Sequence, residues 1–505
     1  MVDEQRDPAP LDVLIIGAGI SGLGAACHLT TRAPGRTFAV LEGRDSIGGT
    51  WDLFRFPGIR SDSDLHTFGF AFKPWTDKEA IASADRILAY LHEAVTEHGV
   101  QRHIRFGHRV ESASFDTTTG LWTVSARTRS GDAVRLTARF LFSGTGYYDY
   151  RAGYTPEFSG IEEFGGRVVH PQAWPEDLDH TGQKVVVIGS GATAVTLVPA
   201  MAGAAAHVTM LQRSPSYVLS QPTEDRIANL LNRVLGHDRG YRITRRKNVL
   251  RQRAVYRLCR RYPKLMHRVL VASVRWSLPK GYDVQRHFTP SYDPWDQRLC
   301  VVPDGDLFAA ISRGEASVVT DHIDRFTPTG IRLRSGAELE ADVVVTATGL
   351  ALLPLGGIAL TVDRRPVDVA ETTIFRSMML SGVPNYAFAF GYTNASWTLK
   401  VDLVCEHLCR LLDHLDAGGH TQVVPVLDDP TMERTPLLDL TSGYVQRAAS
   451  MFPKAGTRGP WTAAMAYEQD AARLVRGPVA DPELRFSTRP VAEAGAAEPQ
   501  NAVPA

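Results

Sequence analysis

Two glycine-rich turns stand where a dinucleotide can bind. In LDVLIIGAGISGLG, Gly17, Gly19 and Gly22 follow a continuous run of Val, Leu and Ile, and Glu42 ends the next apolar run, TFAVLE. Gly17 permits a tight turn, Gly19 lets backbone N–H groups approach a pyrophosphate, Gly22 allows close helix–strand packing, and Glu42 can accept from ribose hydroxyls. The pattern returns in GQKVVVIGSGATAVTL, with Gly189, Gly191 and Ala194 at the three positions and Ser190, Ala192 and Thr193 between them. The strand after it, HVTMLQRS, ends in Arg213 and Ser214 instead of an acid. A guanidinium there binds a 2′-phosphate that a carboxylate would repel. The first unit therefore reads as a site for FAD and the second as one for NADPH. The competing reading makes Arg213 a solvated strand end.

Two nucleotide sites in one chain imply electron flow from a nicotinamide to a flavin, and leave open what the flavin then does. A disulfide reductase needs a CxxC or CxxxxC pair, and Cys27, Cys259, Cys300, Cys405 and Cys409 offer neither. Cys405 and Cys409, at i and i+4 of an amphipathic stretch, read as small buried hydrophobes. An electron-transfer reductase needs only the two sites. A monooxygenase needs, in addition, a positive or hydrogen-bonding group that stabilises a flavin 4a-peroxide.

The elements that position both loops are strand–turn–helix units, so an α/β fold with two Rossmann-like dinucleotide-binding domains is expected. The 505 residues, 44% hydrophobic, can bury a large core and suggest about two or three domains. With 55 basic and 55 acidic residues, no overall field favours nucleic acid, which is not expected as a partner. The start, MVDEQRDPAP, lacks the basic and apolar parts of a signal peptide, and no run of about 18 uncharged apolar residues occurs. Together with few, scattered cysteines, this leads us to expect a cytoplasmic protein. His170 has no partner ligands in sequence, so no metal is expected.

Two further stretches are more specific. GGTWDLFRFPGIRSD, residues 48–62, contains Gly49, Trp51, an aromatic-Pro-Gly and Asp62, and FGGRVVHPQAWP fits F-x-G-x-x-x-H-x-x-x-W-P through Phe164, Gly166, His170, Trp174 and Pro175. Together they resemble the paired fingerprints of type I Baeyer–Villiger monooxygenases, class B flavoproteins that use FAD and NADPH. The segments IRSDSDLHTFGFAFKPW, WDQRLCVVPDGDLF and GYTNASWTLK are most similar to the branch of that family that includes an ethionamide-activating monooxygenase.

The resemblance implies conversion of ketones to esters or lactones with O2, and sulfoxidation as a side activity. An N- or S-oxygenating class B enzyme and a non-oxygenating NADPH:flavin reductase are the alternatives. It implies that Arg298 is the active-site arginine and that Asp62 lies by the flavin and interacts with it. That agrees with the chemistry, because a fixed guanidinium favours an anionic peroxide and the oxyanion formed on a ketone. A surface arginine and a helix-capping aspartate are the bland readings of these two residues. The resemblance further implies FAD contacts at Ser21, Thr50, Trp51 and Val110, and nicotinamide-side contacts at Arg60 and Ser61. Gln297 stands where a lysine for the 2′-phosphate is common, so NADPH preference rests more on Arg213. The His170 stretch is expected to anchor a connector and couple the domains, with Gly166 permitting a bend.

The expected organisation is an FAD domain in residues 1–147 and 348–485, a linker at 148–182, an NADPH domain at 183–216 and 298–347, and a basic helical insertion at 217–297. A disordered tail is expected at 486–505. Residues 226–286 hold 17 Lys or Arg against 2 Asp or Glu. A solvated helix face is the preferred reading of this segment, and contact with a membrane surface the alternative.

Overall fold

The computed structural model describes residues 9–438 and 440–488. Its first sheet starts at β1 (Leu11–Ile16), where Val13 to Ile16 are all buried. A near-continuous apolar run of this kind suits a parallel strand covered on both faces. The chain turns at Gly17 and Gly19 into α1 (Ile20–Arg32) and returns as β2 (Phe38–Leu41), parallel to β1. Helices α2 (Thr50–Leu53), α3 (Leu65–Phe68) and α4 (Ala84–Glu97) lead to β3 (Ile104–Arg105), parallel to β2. A meander of β4 (His108–Asp116), β5 (Leu121–Thr128) and β6 (Ala133–Ser143) follows. Strand β6 changes partner along its length: its first half is antiparallel to β5, and its second runs parallel to β1.

The second sheet is wholly parallel. It draws on β7 (Arg167–Val169), β8 (Lys184–Ile188) and β9 (His207–Gln212), with α5 (Ala192–Ala202) between the last two. After β10 (Val218–Gln221) come α6 (Arg226–Leu235), α7 (His237–Arg261), α8 (Pro263–Ser277) and α9 (Val284–Phe288). Strand β11 (Cys300–Pro303) pairs with β10, and α10 (Asp306–Ser312) leads to β12 (Ala316–Thr320). A small antiparallel sheet of β13 (Ile323–Thr327), β14 (Gly330–Leu333) and β15 (Glu338–Glu340) precedes β16 (Val343–Thr346). The order is β12-β9-β8-β16-β7.

The chain then rejoins the first sheet. Strand β17 (Ala359–Val362) lies parallel to β4, and Tyr386–Phe388 lies parallel to the end of β6. Helix α11 (Trp397–Ala417) packs on α1, burying Val401, Val404, Leu408 and Leu411 in one core with Leu23, Ala26 and Leu29. Helix α12 (Gly443–Ala448) follows near Arg298. The two segments that cross between the sheets pair with each other. Asp149 N donates to Ala351 O at 2.9 Å, Leu353 N to Tyr147 O at 2.9 Å, and Tyr154 N to Gly349 O at 3.0 Å.

Three expectations change. The linker at 148–182 is not all connector, because Arg167–Val169 pairs with Val343–Val345 and forms an edge of the second sheet. The stretch 217–297 is not all helix, since it contains β10. The tail does not begin at 486: Phe486 and Ser487 pair with Val423 and Gln422, and residues 489–505 lie outside the described residues. All five cysteines are buried. Among the described residues no helix is long and apolar enough to cross a membrane, and no group of three or more His, Cys, Asp or Glu could hold a metal ion.

Candidate functional site

The first glycine turn is built backbone against backbone. Gly17 has φ +94°, and a Cβ there would lie 2.9 Å from the carbonyl oxygen of Gly144 at the end of β6. A Cβ on Gly22 would fall on the Gly17 carbonyl oxygen, so α1 can approach β1 this closely only with glycine. In front of the turn lies a cavity of about 680 Å³ lined by Gly17, Gly19, Ser21, Glu42, Thr50, Trp51 and Val110, within the range of small-molecule and cofactor pockets. Gly22 lies beneath it, outside the lining. The buried Glu42 accepts from Ala18 N at 2.7 Å and Arg44 N at 2.9 Å, which aims its carboxylate along the turn. Each of its oxygens keeps a lone pair for a ribose hydroxyl. The open space at the N-terminus of α1, the missing Cβ atoms and the acid at the end of β2 fit FAD.

The other end of the cavity holds Arg60, Ser61, Asp62 and Arg298. Asp64, not Asp62, caps α3, accepting from Thr67 N at 3.1 Å, so Asp62 remains exposed. Arg298 Nη1 stands 3.9 Å from Asp62 Oδ2. Burial disfavours the Arg298 charge, but Tyr147, Tyr444, Asp62 and Tyr148 around it outweigh that and raise its pKa further. A guanidinium does not lose its proton in proteins, so the group is a permanent cation. The turn that carries it is held from two sides: Arg260 pairs with Asp296 at 2.8 Å, and Thr441 N donates to Asp296 O at 3.0 Å. Trp295 in that turn has φ +73°, unusual for a bulky side chain. Arg60 bonds Asp306 at the start of α10 at 2.5 Å, and Ser61 is buried, its N–H donating to Ala82 O.

The second glycine turn opens outward. Gly189 has φ +142° and abuts the Ala347 carbonyl, while nothing lies within 4 Å of a Cβ built on Gly191. Ser190 Oγ donates to Ser214 O at 3.0 Å, fastening the turn to the end of β9, where Arg213 and Ser214 are exposed. Ala192 and Thr193 at the N-terminus of α5 line the large cavity together with Asp62 and Arg298, whereas Gly189, Ser190, Gly191, Arg213 and Ser214 lie outside it. An anionic dinucleotide laid over Gly191 thus has a basic residue on one side and the cavity mouth on the other.

None of the fingerprint residues Phe164, Gly166, His170, Trp174 and Pro175 lines the cavity. Phe164 packs edge-on to Phe326, and Trp174 packs against the core of the second sheet. Gly166 lies in a bend just before β7, and a Cβ there would collide with the Asp342 carbonyl oxygen. His170 Nδ1 accepts from Gln172 N at 3.1 Å, which leaves the proton on Nε2 to donate to Gly349 O at 3.2 Å. The ring thereby pins one crossing segment. Burial lowers its pKa, against the pull of the Gly349 and Tyr154 carbonyls, so the ring is neutral at pH 7.

Several wall residues were not anticipated from sequence. Tyr147, Tyr148 and Tyr150 come from the first crossing, and Tyr150 OH meets Thr50 Oγ1 at 3.1 Å. Trp397 starts α11 and donates from Nε1 to Ser21 Oγ at 2.8 Å; Arg44 and Arg109 flank Glu42 in the lining. The available signals were the crowding of aromatics in SGTGYYDY, directly after an apolar strand, and the place of Trp397 in GYTNASWTLK.

This arrangement has close counterparts. A family model described as pyridine nucleotide-disulphide oxidoreductase matches residues 14–254. The chain is 53% identical over 481 residues to the FAD-containing monooxygenase EthA of Mycobacterium tuberculosis, covering 95% of this chain and 98% of that protein. It is 49% identical over 481 residues to the probable FAD-binding monooxygenase AlmA of Acinetobacter baylyi, covering 95% and 96%. An oxidized steroid monooxygenase bound to NADP shares its fold, with TM-score 0.75 at 23% identity over 95% of this chain and 100% of that one.

Proposed function

The chain belongs to the FAD-containing monooxygenases, and we propose that within that family it converts ketones to esters or lactones, using NADPH and inserting one atom of O2 beside the carbonyl. The observation that carries this reading is the permanent cation of Arg298, set beside Asp62 in the lining of the glycine-loop cavity. FAD would be held by Gly17, Gly19, Ser21, Glu42, Thr50, Trp51 and Val110, with Gly22 shaping the turn. NADPH would be held by Gly189 to Thr193, Arg213 and Ser214, with Arg60 and Ser61 on the nicotinamide side. When bound and reduced, the flavin supplies the electrons that activate O2.

The chain's own groups then do the following. Arg298 offers positive charge where an anionic oxidant and the developing oxyanion of an attacked carbonyl both need it. Asp62 orients that guanidinium without neutralising it by close contact, as supporting groups do. Tyr147 and Tyr148 wall the site with aromatic surface and limit water around the charge. The same site would pass oxygen to a thioether, for which the cation at Arg298 matters less.

The test follows NADPH oxidation by the FAD-loaded protein with and without a panel of linear and cyclic ketones and aryl sulfides, with products analysed by gas chromatography. Ester or lactone formed in proportion to NADPH consumed is the expected result. Sulfoxide alone would favour the S-oxygenating alternative, and hydrogen peroxide alone a reductase.

A further inference from the structure

We infer that the outward face of α6, α7 and α8 is a docking surface for an anionic lipid bilayer. The described residues include 14 exposed large hydrophobic side chains, and 11 of them fall between Ile227 and Trp276. The three elsewhere, Phe106, Val168 and Met451, are scattered, as single exposed apolar residues usually are.

These helices carry apolar side chains on their outer faces as well as their inner ones. In α6, Ile227, Leu230 and Val234 recur at i, i+3 and i+7 and are 57%, 60% and 68% exposed, while Ala228 and Asn232 are buried. In α7 the buried face carries Thr244, Arg245 and Asn248 beside Tyr241 and Val249, whereas Ile243 and Leu250 face outward. The buried polar groups are satisfied by the first unit: Arg245 donates to the carbonyls of His66, Thr67 and Gly69, and Asn248 to Asp64. The helix is thus fixed from within, which leaves its apolar outer residues turned to the surface. In α8, Leu265 and Val269 are exposed and Trp276 is 85% exposed. A solvated basic face needs none of these apolar side chains outside.

Charge selects the occupant. Residues 226–286 carry 17 Lys or Arg against 2 Asp or Glu in a chain that is neutral overall. Some are consumed internally: Lys247 pairs with Asp225, Arg253 with Glu468 and Arg260 with Asp296. Arg226, Arg233, Arg242 and Arg268 are exposed among the apolar stripes. A second copy of this face would meet like charge. A nucleic acid would reward the arginines but leave the leucines and Trp276 in water. Anionic lipid answers both, as the headgroups attract arginine and the acyl boundary accepts Leu, Ile, Val and Trp. With no helix able to cross a membrane among the described residues, the contact is peripheral. It lies beside the Arg298 turn, since Tyr256 of α7 packs edge-on to Trp295 and Arg260 holds Asp296.

The test is co-sedimentation of the FAD-loaded full chain with vesicles of phosphatidylcholine alone or mixed with phosphatidylglycerol, at low and high salt. Binding to the anionic vesicles alone, weakened by salt, is expected, with a blue shift of Trp276 fluorescence that is absent in Trp276→Phe. The pair Leu230→Glu and Val234→Glu should lower binding about tenfold or more, and Arg233→Glu with Arg242→Glu by a similar factor. All four positions are exposed, so oxygenation of a water-soluble substrate should stay unchanged and report folding. Equal binding to both vesicle types, or binding insensitive to either pair, would overturn the inference. So would lipid-free dimerisation abolished by Leu230→Glu, or DNA binding of the same strength and salt dependence.

Discussion

Arg298 Nη1 lies 3.9 Å from Asp62 Oδ2, joining the turn before β11 to the loop before α3 in the wall of the glycine-loop cavity. The spacing is long for a tight ion pair and leaves the guanidinium N–H groups room for a substrate oxygen. Arg298→Ala is expected to retain NADPH-driven flavin reduction and to lose roughly 10²- to 10³-fold in ester formation. Asp62→Asn should lose less. Stopped-flow reduction and product analysis on the same preparations check this, and ester at wild-type rate in Arg298→Ala would refute the role of Arg298.

Arg213 stands exposed at the end of β9, beside the serine that fastens the second glycine turn. Arg213→Ala should raise KM for NADPH by about 10- to 100-fold, the worth of one charge-assisted contact, and leave NADH nearly unaffected. Steady-state kinetics with both nucleotides decide. An equal effect on both would make Arg213 a structural residue.

His170 bonds Gly349 and lies outside the cavity. His170→Ala is expected to change NADPH affinity and the fraction of electrons lost as hydrogen peroxide while oxygenation persists. His170→Gln, able to donate to the same carbonyl, should recover part of the coupling. Complete loss of oxygenation with FAD still bound would contradict this.

Arg245 and Asp402 form a buried pair at 2.8 Å, with side chains 10% and 8% exposed, and His28 lies 3.3 Å from the same carboxylate. Arg245→Met leaves that carboxylate without its main partner and should cost about 3–5 kcal/mol. Adding Asp402→Asn should restore part of the loss. Urea denaturation of the two singles and the double gives the coupling.

His407 is held down to about 4 by burial, with Arg376 and Arg410 adding to it against a bond to the Leu474 carbonyl. The folded pKa lies below the ordinary value, so the unfolded chain takes up the proton first. Stability from this group is complete above pH 6.5 and is lost as pH falls toward 4, by up to about 3 kcal/mol. Urea midpoints at several pH values should fall less steeply in His407→Gln than in the wild type, and identical slopes would exclude His407 as a source.

The elements of this fold were legible where one local pattern sufficed. The apolar runs before Gly17 and Gly189, and the small-residue helices after them, announced the parallel strands at the heart of each sheet. Strand Arg167–Val169 was not legible, because three residues carry no periodicity and its partner, Val343–Val345, is remote in sequence. Gly166 was half legible for a related reason: the bend could be expected, but the Asp342 carbonyl that excludes a Cβ is remote in sequence. Asp62 and Arg298 stood out as residue types within matched motifs, but sequence does not state their separation. A helix cap was the competing reading of Asp62, and only the backbone shows that Asp64 takes that role. Tyr147, Tyr148 and Trp397 went unseen since they reach the cavity from a crossing segment and a distant helix.

The pairing of the two crossing segments also sets an order of assembly. The second sheet is complete once β16 has left the ribosome, whereas the first still awaits β17 and Tyr386–Phe388. Synthesis therefore finishes the nucleotide unit in the middle of the chain before the unit that began it. The ribbon from Tyr147 to Tyr154 and from Gly349 to Leu353 then acts as a clasp that brings the late strands to a half-built sheet. Mutations that slow closure of the clasp should show up as poor yield of soluble, flavin-loaded protein before they show up as lost activity.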